Sequence, residues 1–248
     1  MERVLLVTGG GRGIGAATAV LASARGYAVA VNYQRNRQAA DAVVQKINQS
    51  GGTALAVAGD VVMEADVVRM FETVDRALGS VGGLVNNAGI VDRGTRVEHI
   101  SAERIARMLA INVTGSFLCA REAVKRMSTR HGGKGGAIVN VSSIAARLGG
   151  AGEYVDYAAS KGAIDTFTVG LAKEVAPEGI RVNAVRPGII RTDIHMASGD
   201  PGRVERIGAT APLQRPGEAE EVAQAIVWLL SDEASYMTGA LVDVTGGR

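Results

Sequence analysis

The sequence predicts a doubly wound α/β fold built on a parallel sheet of seven strands. Short runs rich in Val, Ile and Ala alternate along the chain with longer segments of helical pattern. This alternation is typical of βαβ units whose strands are buried on both faces. The chain has 248 residues, of which 47% are hydrophobic, and no linker interrupts the alternation. We therefore expect one domain spanning residues 1–248.

The expected strands are short apolar runs, and helices are expected to fill most of the intervals between them. In chain order the strands are Arg3–Thr8, Ala28–Asn32, Thr53–Ala58, Gly83–Asn86, Ala137–Val141, Arg181–Arg186 and Ala240–Asp243. Residues 188–216 break this pattern with polar residues, Gly and Pro, and allow at most a short helix. A long irregular stretch after a parallel strand is usually functional, so we expect a substrate lid at 188–216.

Composition and charge narrow the class of protein. The net charge is only +2 and the basic residues are scattered, which argues against a nucleic-acid partner. Cys119 is the single cysteine, so we expect no disulfide and a reducing compartment. The amino terminus runs straight into a strand, and no apolar run could span a bilayer, so we expect a cytoplasmic protein without a membrane partner. No His-x-x-x-His spacing supports a metal site.

A glycine-rich turn follows the first strand. The segment Thr8-Gly9-Gly10-Gly11-Arg12-Gly13-Ile14-Gly15 leads directly into a helical pattern. Glycines at such a turn allow the backbone and the helix N-terminus to approach a pyrophosphate closely. The alternative is a tight turn that binds nothing, but its position in the first βαβ unit favours a dinucleotide site.

The charges near the second strand predict which dinucleotide binds. An NAD site needs a carboxylate roughly 20 residues beyond the glycines, yet the chain has no Asp or Glu between Glu2 and Asp41. The second strand ends in Asn32-Tyr33-Gln34-Arg35, and Arg12 lies in the glycine turn. Two guanidiniums and an amide suit a 2′-phosphate, so we predict NADP(H). The alternative is that Arg35 and Arg37 form a solvated face.

Tyr157-Ala-Ala-Ser-Lys161 places a phenol and an ammonium on one helix face. At a separation of about 6 Å and an effective dielectric constant of about 20, a positive charge lowers the pKa of a phenol by about two units. That shift predicts a tyrosine capable of acid-base catalysis near neutral pH. The alternative is an ordinary pair on a helix surface.

Together with the glycine turn and Tyr157-x-x-x-Lys161, three further features occur in order along the chain, namely Asn86-Asn87-Ala88-Gly89, Asn112 and Ser143. This set resembles the short-chain dehydrogenase/reductase superfamily over the whole chain. Pro187-Gly188, Thr192 and the closing Thr238–Asp243 agree with the resemblance. It implies a Rossmann-like sheet with helices on both faces.

The resemblance also implies catalytic roles. Tyr157 would be the general acid or base, and Lys161 would lower its pKa and bind the nicotinamide ribose. Ser143 would hold the substrate oxygen, and its neighbour Ser142 would be structural because adjacent residues of a strand point oppositely. Asn112 would position a water in a proton relay, or alternatively bend its helix or bond locally.

The charge argument and the resemblance together give the expected cofactor contacts. Asp60 would bond the adenine amino group, and Asn86 would brace the sheet instead of touching the cofactor. The full expected set is Gly9, Gly11, Arg12, Gly13, Ile14, Gly15, Asn32, Tyr33, Gln34, Arg35, Asp60, Val61, Asn87, Ala88, Gly89, Tyr157, Lys161, Pro187, Gly188, Ile190 and Thr192.

The predicted function is NADP(H)-dependent interconversion of a ketone or aldehyde with an alcohol. A 3-oxoacyl-thioester reductase, a sugar or polyol dehydrogenase and a broad carbonyl reductase remain open within this class. The alternative from another class is a nucleotide-binding regulatory or scaffold protein with weak chemistry. The family further implies a homo-oligomer, a dimer or tetramer formed through the long helices that contain Asn112 and Tyr157 and through the carboxyl-terminal strand.

Overall fold

A computed structural model describes residues 3–192, 200 and 202–248. Seven strands form one sheet in the order β3-β2-β1-β4-β5-β6-β7, and every neighbouring pair is parallel. The predicted doubly wound parallel sheet is confirmed. The strands are β1 (Arg3–Val7), β2 (Tyr27–Tyr33), β3 (Ala54–Ala58), β4 (Val81–Asn86), β5 (Gly136–Val141), β6 (Ile180–Pro187) and β7 (Leu241–Val244).

Helices cover both faces of the sheet. Their bounds are α1 (Gly13–Ala24), α2 (Arg37–Gln49), α3 (Glu64–Ala77), α4 (Ala102–Leu109), α5 (Gly115–Met127), α6 (Ala145–Leu148), α7 (Val155–Val175), α8 (Arg203–Gly208) and α9 (Ala219–Leu230). One apolar core joins the sheet to α3, α5 and α7, and a second joins it to α1, α2 and α9. The strands supply alternate side chains to the two cores, because successive residues of a strand point to opposite faces.

The predicted strand ends lie within two residues of the observed ones, and four of them coincide. β1 ends at Val7, one residue before the predicted end, although the amide of Thr8 still donates to the Val85 carbonyl of β4, 3.0 Å from N to O. β4 begins at Val81, two residues before the predicted start, and its pairing with β1 skips Gly82. Gly82 is therefore the extra residue at a register shift, which accommodates the glycine without disturbing the rest of the strand.

The segment predicted as a lid is only partly described. Residues 193–199 and 201, and with them His195, lie outside the described residues. Within the rest, Ile190 forms a parallel bridge with Gly217, and α8 is the short helix that the sequence allowed. No helix in the described parts of the chain combines the length and the apolar character that a membrane crossing requires.

Candidate active site

A cleft of about 810 Å³ opens at the carboxyl ends of the strands. This is the edge at which ligands of doubly wound sheets bind. All the predicted site residues line the cleft except Gly15 and Asn112. Those lining it are Gly9, Gly11, Arg12, Gly13, Ile14, Asn32, Tyr33, Gln34, Arg35, Asp60, Val61, Asn87, Ala88, Gly89, Ser143, Tyr157, Lys161, Pro187, Gly188, Ile190 and Thr192.

Thr8 and Asn87 hold the glycine turn against the end of β4. The Thr8 hydroxyl accepts hydrogen bonds from the backbone amides of Asn87 and Ala88, both at 3.0 Å. The Asn87 side chain donates to the carbonyls of Thr8 and Gly9 at 2.9 and 3.1 Å. Thr8 is a positioning residue that the sequence analysis did not assign, although its place before the glycines was visible.

Glycine is required at two positions of the turn, Gly9 and Gly15, for different structural reasons. Gly9 has φ of +60°, and an added Cβ would lie 3.1 Å from the Ala88 Cα. At Gly15 an added Cβ would lie 2.6 Å from both the Asn87 Nδ2 and the Gly9 carbonyl oxygen. Gly15 therefore allows α1 to pack against the turn, which explains why it lies behind the cleft wall.

The N-terminus of α1 faces the cleft through Gly13 and Ile14. Within the described part of the chain no side chain caps the first turn of this helix, and the turn contains no acidic residue. Its free backbone amides and the positive end of the helix dipole suit an anion. These features fit the pyrophosphate of a dinucleotide.

The side-chain N–H groups of Asn32 are engaged by backbone carbonyls and are not offered to a phosphate. Its side chain is buried, accepts from the Gly9 amide at 3.1 Å and donates to the Gly59 and Val57 carbonyls at 3.0 and 3.3 Å. Asn32 thus ties the glycine turn to the end of β3. The amide able to face a ligand is that of Gln34, which is exposed and donates to Asp60 at 2.6 Å.

The two predicted guanidiniums both reach the cleft. Arg12 and Arg35 are exposed, and within the described residues neither pairs with a carboxylate. Arg37 differs, because it pairs with Asp41 at 3.2 Å on the surface of α2 and does not line the cleft. Arg37 therefore fits the solvated-face interpretation, whereas Arg35 is exposed at the cleft.

A chain of buried amides anchors α7 to the sheet. The Asn86 side chain donates to the Asn140 side chain at 2.9 Å, and Asn140 donates to the Thr168 hydroxyl at 2.9 Å. Asn86 thus braces β4, β5 and α7, as the sequence indicated. Because α7 contains Tyr157 and Lys161, this bracing fixes both side chains relative to the cleft.

Ser142 and Ser143 point in opposite directions at the end of β5. Ser142 is buried and its hydroxyl donates to the Lys161 carbonyl at 3.1 Å. Ser143 lines the cleft, and its hydroxyl oxygen accepts from the Ala145 amide at 3.1 Å. Ser142 also borders the cleft, but its hydroxyl is engaged by the Lys161 carbonyl, whereas the Ser143 hydroxyl interacts with the Tyr157 phenol. Opposite directions of adjacent residues are the arrangement expected from strand alternation.

The ionisation of Tyr157 differs from the sequence-based expectation. Burial raises the pKa of the phenol, and the interaction with the Ser143 hydroxyl acts in the opposite direction. Burial also lowers the pKa of the Lys161 ammonium to about 8, while Asp165 opposes that shift. The Lys161 Nζ lies 5.8 Å from the centroid of the Tyr157 ring and donates to the Val141 carbonyl at 2.7 Å.

Asn112 lies in a π-helical turn, Ala110–Thr114, between α4 and α5. It is buried, its Oδ1 accepts from the Ile90 amide at 2.8 Å, and its Nδ2 donates to the Ile90 carbonyl and the Ser160 hydroxyl, both at 3.0 Å. These contacts connect it to the helix of Tyr157 without exposing it to the cleft. A π-turn inside a helix often marks a functional site.

Tyr154, Glu153 and Arg203 close the cleft beyond Tyr157. The position of Tyr154 three residues before Tyr157 suggested that it either shapes the substrate pocket or simply packs, whereas Glu153 and Arg203 were not predicted. The ring of Tyr154 packs edge-on against the Tyr157 ring, with centroids 5.9 Å apart. Arg203 of α8 is buried, pairs with Glu153 at 2.6 Å and contacts the Tyr154 hydroxyl. Tyr154 therefore both packs and shapes the pocket. No periodicity in residues 188–216 could have revealed Arg203.

The described residues contain no cluster of His, Cys, Asp and Glu arranged to bind a metal ion. His99 and His131 are exposed, and neither lines the cleft. Cys119 is buried in the core formed by α3, α5 and α7, and burial raises the pKa of its thiol to about 12.

The parallel sheet, the uncapped α1 and the residues at the strand ends define a dinucleotide-binding protein of the α/β class. Residues 9–248 match a family model described as enoyl-(acyl carrier protein) reductase. The chain belongs to the short-chain dehydrogenase/reductase family, and it is an oxidoreductase of that family.

Curated relatives span the whole chain. It is 60% identical to the uncharacterized oxidoreductase YgfF of Escherichia coli, with 99% of each chain covered. It is 41% identical to carbonyl reductase family member 4 of Danio rerio, covering 100% of this chain and 98% of the relative. It is also 40% identical to the 3-oxoacyl-[acyl-carrier-protein] reductase of a Synechocystis strain, covering 99% and 96%.

A solved structure has the same fold. A dehydrogenase/reductase from Sinorhizobium meliloti matches with a TM-score of 0.89 and 33% identity, covering 99% of this chain and 94% of that one. The identity and coverage support both the fold and the family.

Proposed function

We propose that the protein is an NADP(H)-dependent oxidoreductase that interconverts a ketone or aldehyde with the corresponding alcohol. The observation that carries this proposal is one cleft with Ser143, Tyr157 and Lys161 at one end and Arg12 and Arg35 at the other. A carbonyl reductase and a 3-oxoacyl-[acyl-carrier-protein] reductase among the relatives support the reaction class.

The chain's own residues fit a dinucleotide phosphate. The free amides at the start of α1 would bind the pyrophosphate, and the guanidiniums of Arg12 and Arg35 would bind the 2′-phosphate. Asp60 and Val61 would meet the adenine, while Asn87, Ala88 and Gly89 would follow the cofactor toward the nicotinamide. Gly188, Ile190 and Thr192 also line the cleft, with Thr192 next to Gly13, and would meet the nicotinamide end of the cofactor and its phosphates.

When bound, NADPH supplies a hydride to the carbonyl carbon of the substrate. The carbonyl oxygen then gains negative charge, and the Tyr157 phenol donates a proton to it. Burial, which raises the pKa of the phenol, keeps it protonated at neutral pH, as this role requires. The Ser143 hydroxyl donates a hydrogen bond to the same oxygen and so positions the substrate. In alcohol oxidation, Tyr157 accepts the proton.

Lys161 and Asn112 support the proton donor. The Lys161 ammonium would stabilise the phenolate left after proton transfer and would donate to the nicotinamide ribose. The Asn112 side chain contacts Ser160, whose hydroxyl in turn donates to the Tyr157 carbonyl at 2.7 Å. We propose that Asn112 holds this part of α7 and positions a water that reprotonates the site through Lys161.

The cofactor preference is tested by exchanging Arg35. Arg35→Ala removes a charge-assisted hydrogen bond of about 1.5–3 kcal/mol, so kcat/KM for NADPH should fall by about 10- to 100-fold, while that for NADH changes little. Initial rates with both cofactors and a panel of ketones measure this. Arg37→Ala is the control, since Arg37 pairs with Asp41 outside the cleft. A wild-type protein that prefers NADH contradicts the assignment.

The proposed role of Tyr157 as proton donor is tested by Tyr157→Phe, which removes the hydroxyl and keeps the aromatic ring. We expect kcat for ketone reduction to fall by about 10²- to 10⁴-fold, the usual contribution of a general acid. Binding of NADPH, followed by fluorescence titration, should be retained. If wild-type protein and Tyr157→Phe bind NADPH equally and reduce every ketone equally slowly, the regulatory or scaffold alternative is correct instead.

A further inference from the structure

Lys161 occupies an unfavourable place for an ammonium. It is 4% exposed, and within the described residues its Nζ makes one hydrogen bond, to the Val141 carbonyl. Removing a charge from water without a partner of opposite charge favours its neutral form. A neutral Lys161 could not stabilise a phenolate on Tyr157, so the proposed function requires another group that keeps the lysine charged.

Asp165 lies one helical turn beyond Lys161 on α7, and it is 8% exposed. Residues four apart on a helix are neighbours on the same face. The Asp165 Oδ2 accepts from the Arg186 Nε at 2.9 Å and lies 2.8 Å from the Arg186 Nη2 in the same ion pair. Its Oδ1 is buried and has no hydrogen-bond partner among the described residues. This carboxylate is therefore held from one side only.

The pair formed by Arg186 and Asp165 belongs to a row of side chains whose charges alternate in sign. Arg186 of β6 pairs in register with Asp243 of β7, and their side chains lie 3.6 Å apart. Asp243 also accepts from Arg147 of α6 at 2.7 Å. The row Arg147, Asp243, Arg186 and Asp165 thus runs from the helix after Ser143 to the helix of Lys161.

We propose that Asp165 is a positioning residue that keeps Lys161 protonated, and that the positive charge of Arg186, which pairs with Asp165, partly offsets this effect. The proposal rests on the proposed function, because it assigns a role relative to the Tyr157 and Lys161 pair. Neither Asp165 nor Arg186 lines the cleft, so both act through Lys161.

Among the described residues around Lys161, Asp165 is the carboxylate that acts on it. From α7 come the Tyr157 phenol and Asp165, while β5 offers the Val141 carbonyl and two serines. The nearby Gly89 and Asn112 are uncharged. The positive charge of Arg186, which pairs with Asp165, opposes the effect of that carboxylate on Lys161. Burial lowers the pKa of Lys161 and the charge of Asp165 raises it, in agreement with this arrangement.

The direct test measures the ionisation of Lys161 without any turnover. The chain has five lysines, so protein labelled with ¹³C at the lysine ε-carbon gives five NMR signals, and Lys161→Arg identifies the relevant one. Asp165→Asn should lower the titration midpoint of Lys161 by about one pH unit, because a nearby negative charge is lost while Arg186 remains. Arg186→Met should raise it, since a positive charge is lost.

Asp75→Asn is the matched control. Asp75 is also paired with an arginine, Arg126 at 2.7 Å, and also has a buried Oδ1 without a partner, but it lies on α3 away from the cleft. This variant should leave the Lys161 midpoint unchanged. A purely structural role for Asp165 predicts the same result for Asp165→Asn, and that result would overturn the proposal. If Asp165→Asn does not fold, an unchanged or lowered midpoint in Arg186→Met overturns it.

The pH profile of kcat/KM for ketone reduction separates this proposal from the proposed function. The rate of ketone reduction should fall as the pH rises through the pKa of Lys161, because the lysine then loses its charge. The basic limb of the profile should therefore move to lower pH in Asp165→Asn and to higher pH in Arg186→Met. If the NMR midpoints shift as expected but no ketone is turned over, the positioning role of Asp165 stands and the proposed function fails.

Discussion

At the scale of single residues, burial influences the protonation of Tyr157 and Lys161 more than their spacing along the helix does. The interval of four between Tyr157 and Lys161 suggested that the lysine acidifies the phenol. Both groups are instead shifted first by burial, which raises the pKa of Tyr157 and lowers that of Lys161 to about 8. Burial favours the neutral form of each group. A neutral phenol beside a lysine that titrates near pH 8 suits proton donation to a carbonyl oxygen.

The two serines give a matched pair of variants one residue apart. Ser143→Ala removes a hydroxyl from the cleft and should lower kcat/KM for ketone reduction by about 10²-fold, the scale of one lost donor to a developing oxyanion. Ser142→Ala removes a buried hydrogen bond to the Lys161 carbonyl and should lower the free energy of unfolding by about 1 kcal/mol. Steady-state kinetics and urea unfolding measure the two effects. Wild-type activity in Ser143→Ala contradicts the assignment.

At the scale of elements, the apolar runs gave all seven strands because parallel strands are buried on both faces. Because such strands are buried on both faces, their sequences do not show toward which face each side chain points. Every residue of β2 from Tyr27 to Asn32 is buried, so no alternation indicates that Asn32 points inward toward Gly9. The π-helical turn at 110–114 was also invisible, because it inserts a residue into an otherwise regular helical pattern.

Asn32 tests how far the glycine turn depends on its neighbours. Asn32→Leu has a similar shape but leaves the Gly9 amide and the Gly59 carbonyl without their partner. We expect the free energy of unfolding to fall by about 1–3 kcal/mol and the KM for NADPH to rise, because the turn loses its anchor. Urea unfolding at fixed protein concentration measures the first effect. Gln38→Leu, on the exposed face of α2, is the control and should change little.

At the scale of the whole molecule, the sheet brings distant parts of the chain to one edge. The turn after β1, the ends of β4 and β5, and the segment after β6 all line the cleft. The order of these segments in the sequence was enough to identify the family. The closing of the cleft by Arg203 was not predictable, since it depends on a contact between α8 and residues 153–154 across an irregular segment.

The outer surface of the helices predicts self-association. Phe117 of α5 is 47% exposed and stacks on Phe167 of α7, with ring centroids 3.8 Å apart. An exposed aromatic ring stacked on a partly buried one, on α5 and α7, is typical of an interface core. We propose a homodimer or homotetramer that buries this pair, formed by the helices that the family resemblance indicated.

Light scattering after gel filtration measures the assembly. The wild-type mass should be two or four times the 25.6 kDa of the chain. Phe117→Arg places a charge where the apolar contact forms and should reduce the mass, since burying an unpaired charge is costly. Met63→Arg is the control, because Met63 is 55% exposed at the start of α3. A wild-type mass of one chain contradicts the proposal, and an unchanged mass in Phe117→Arg excludes this pair of helices as the interface.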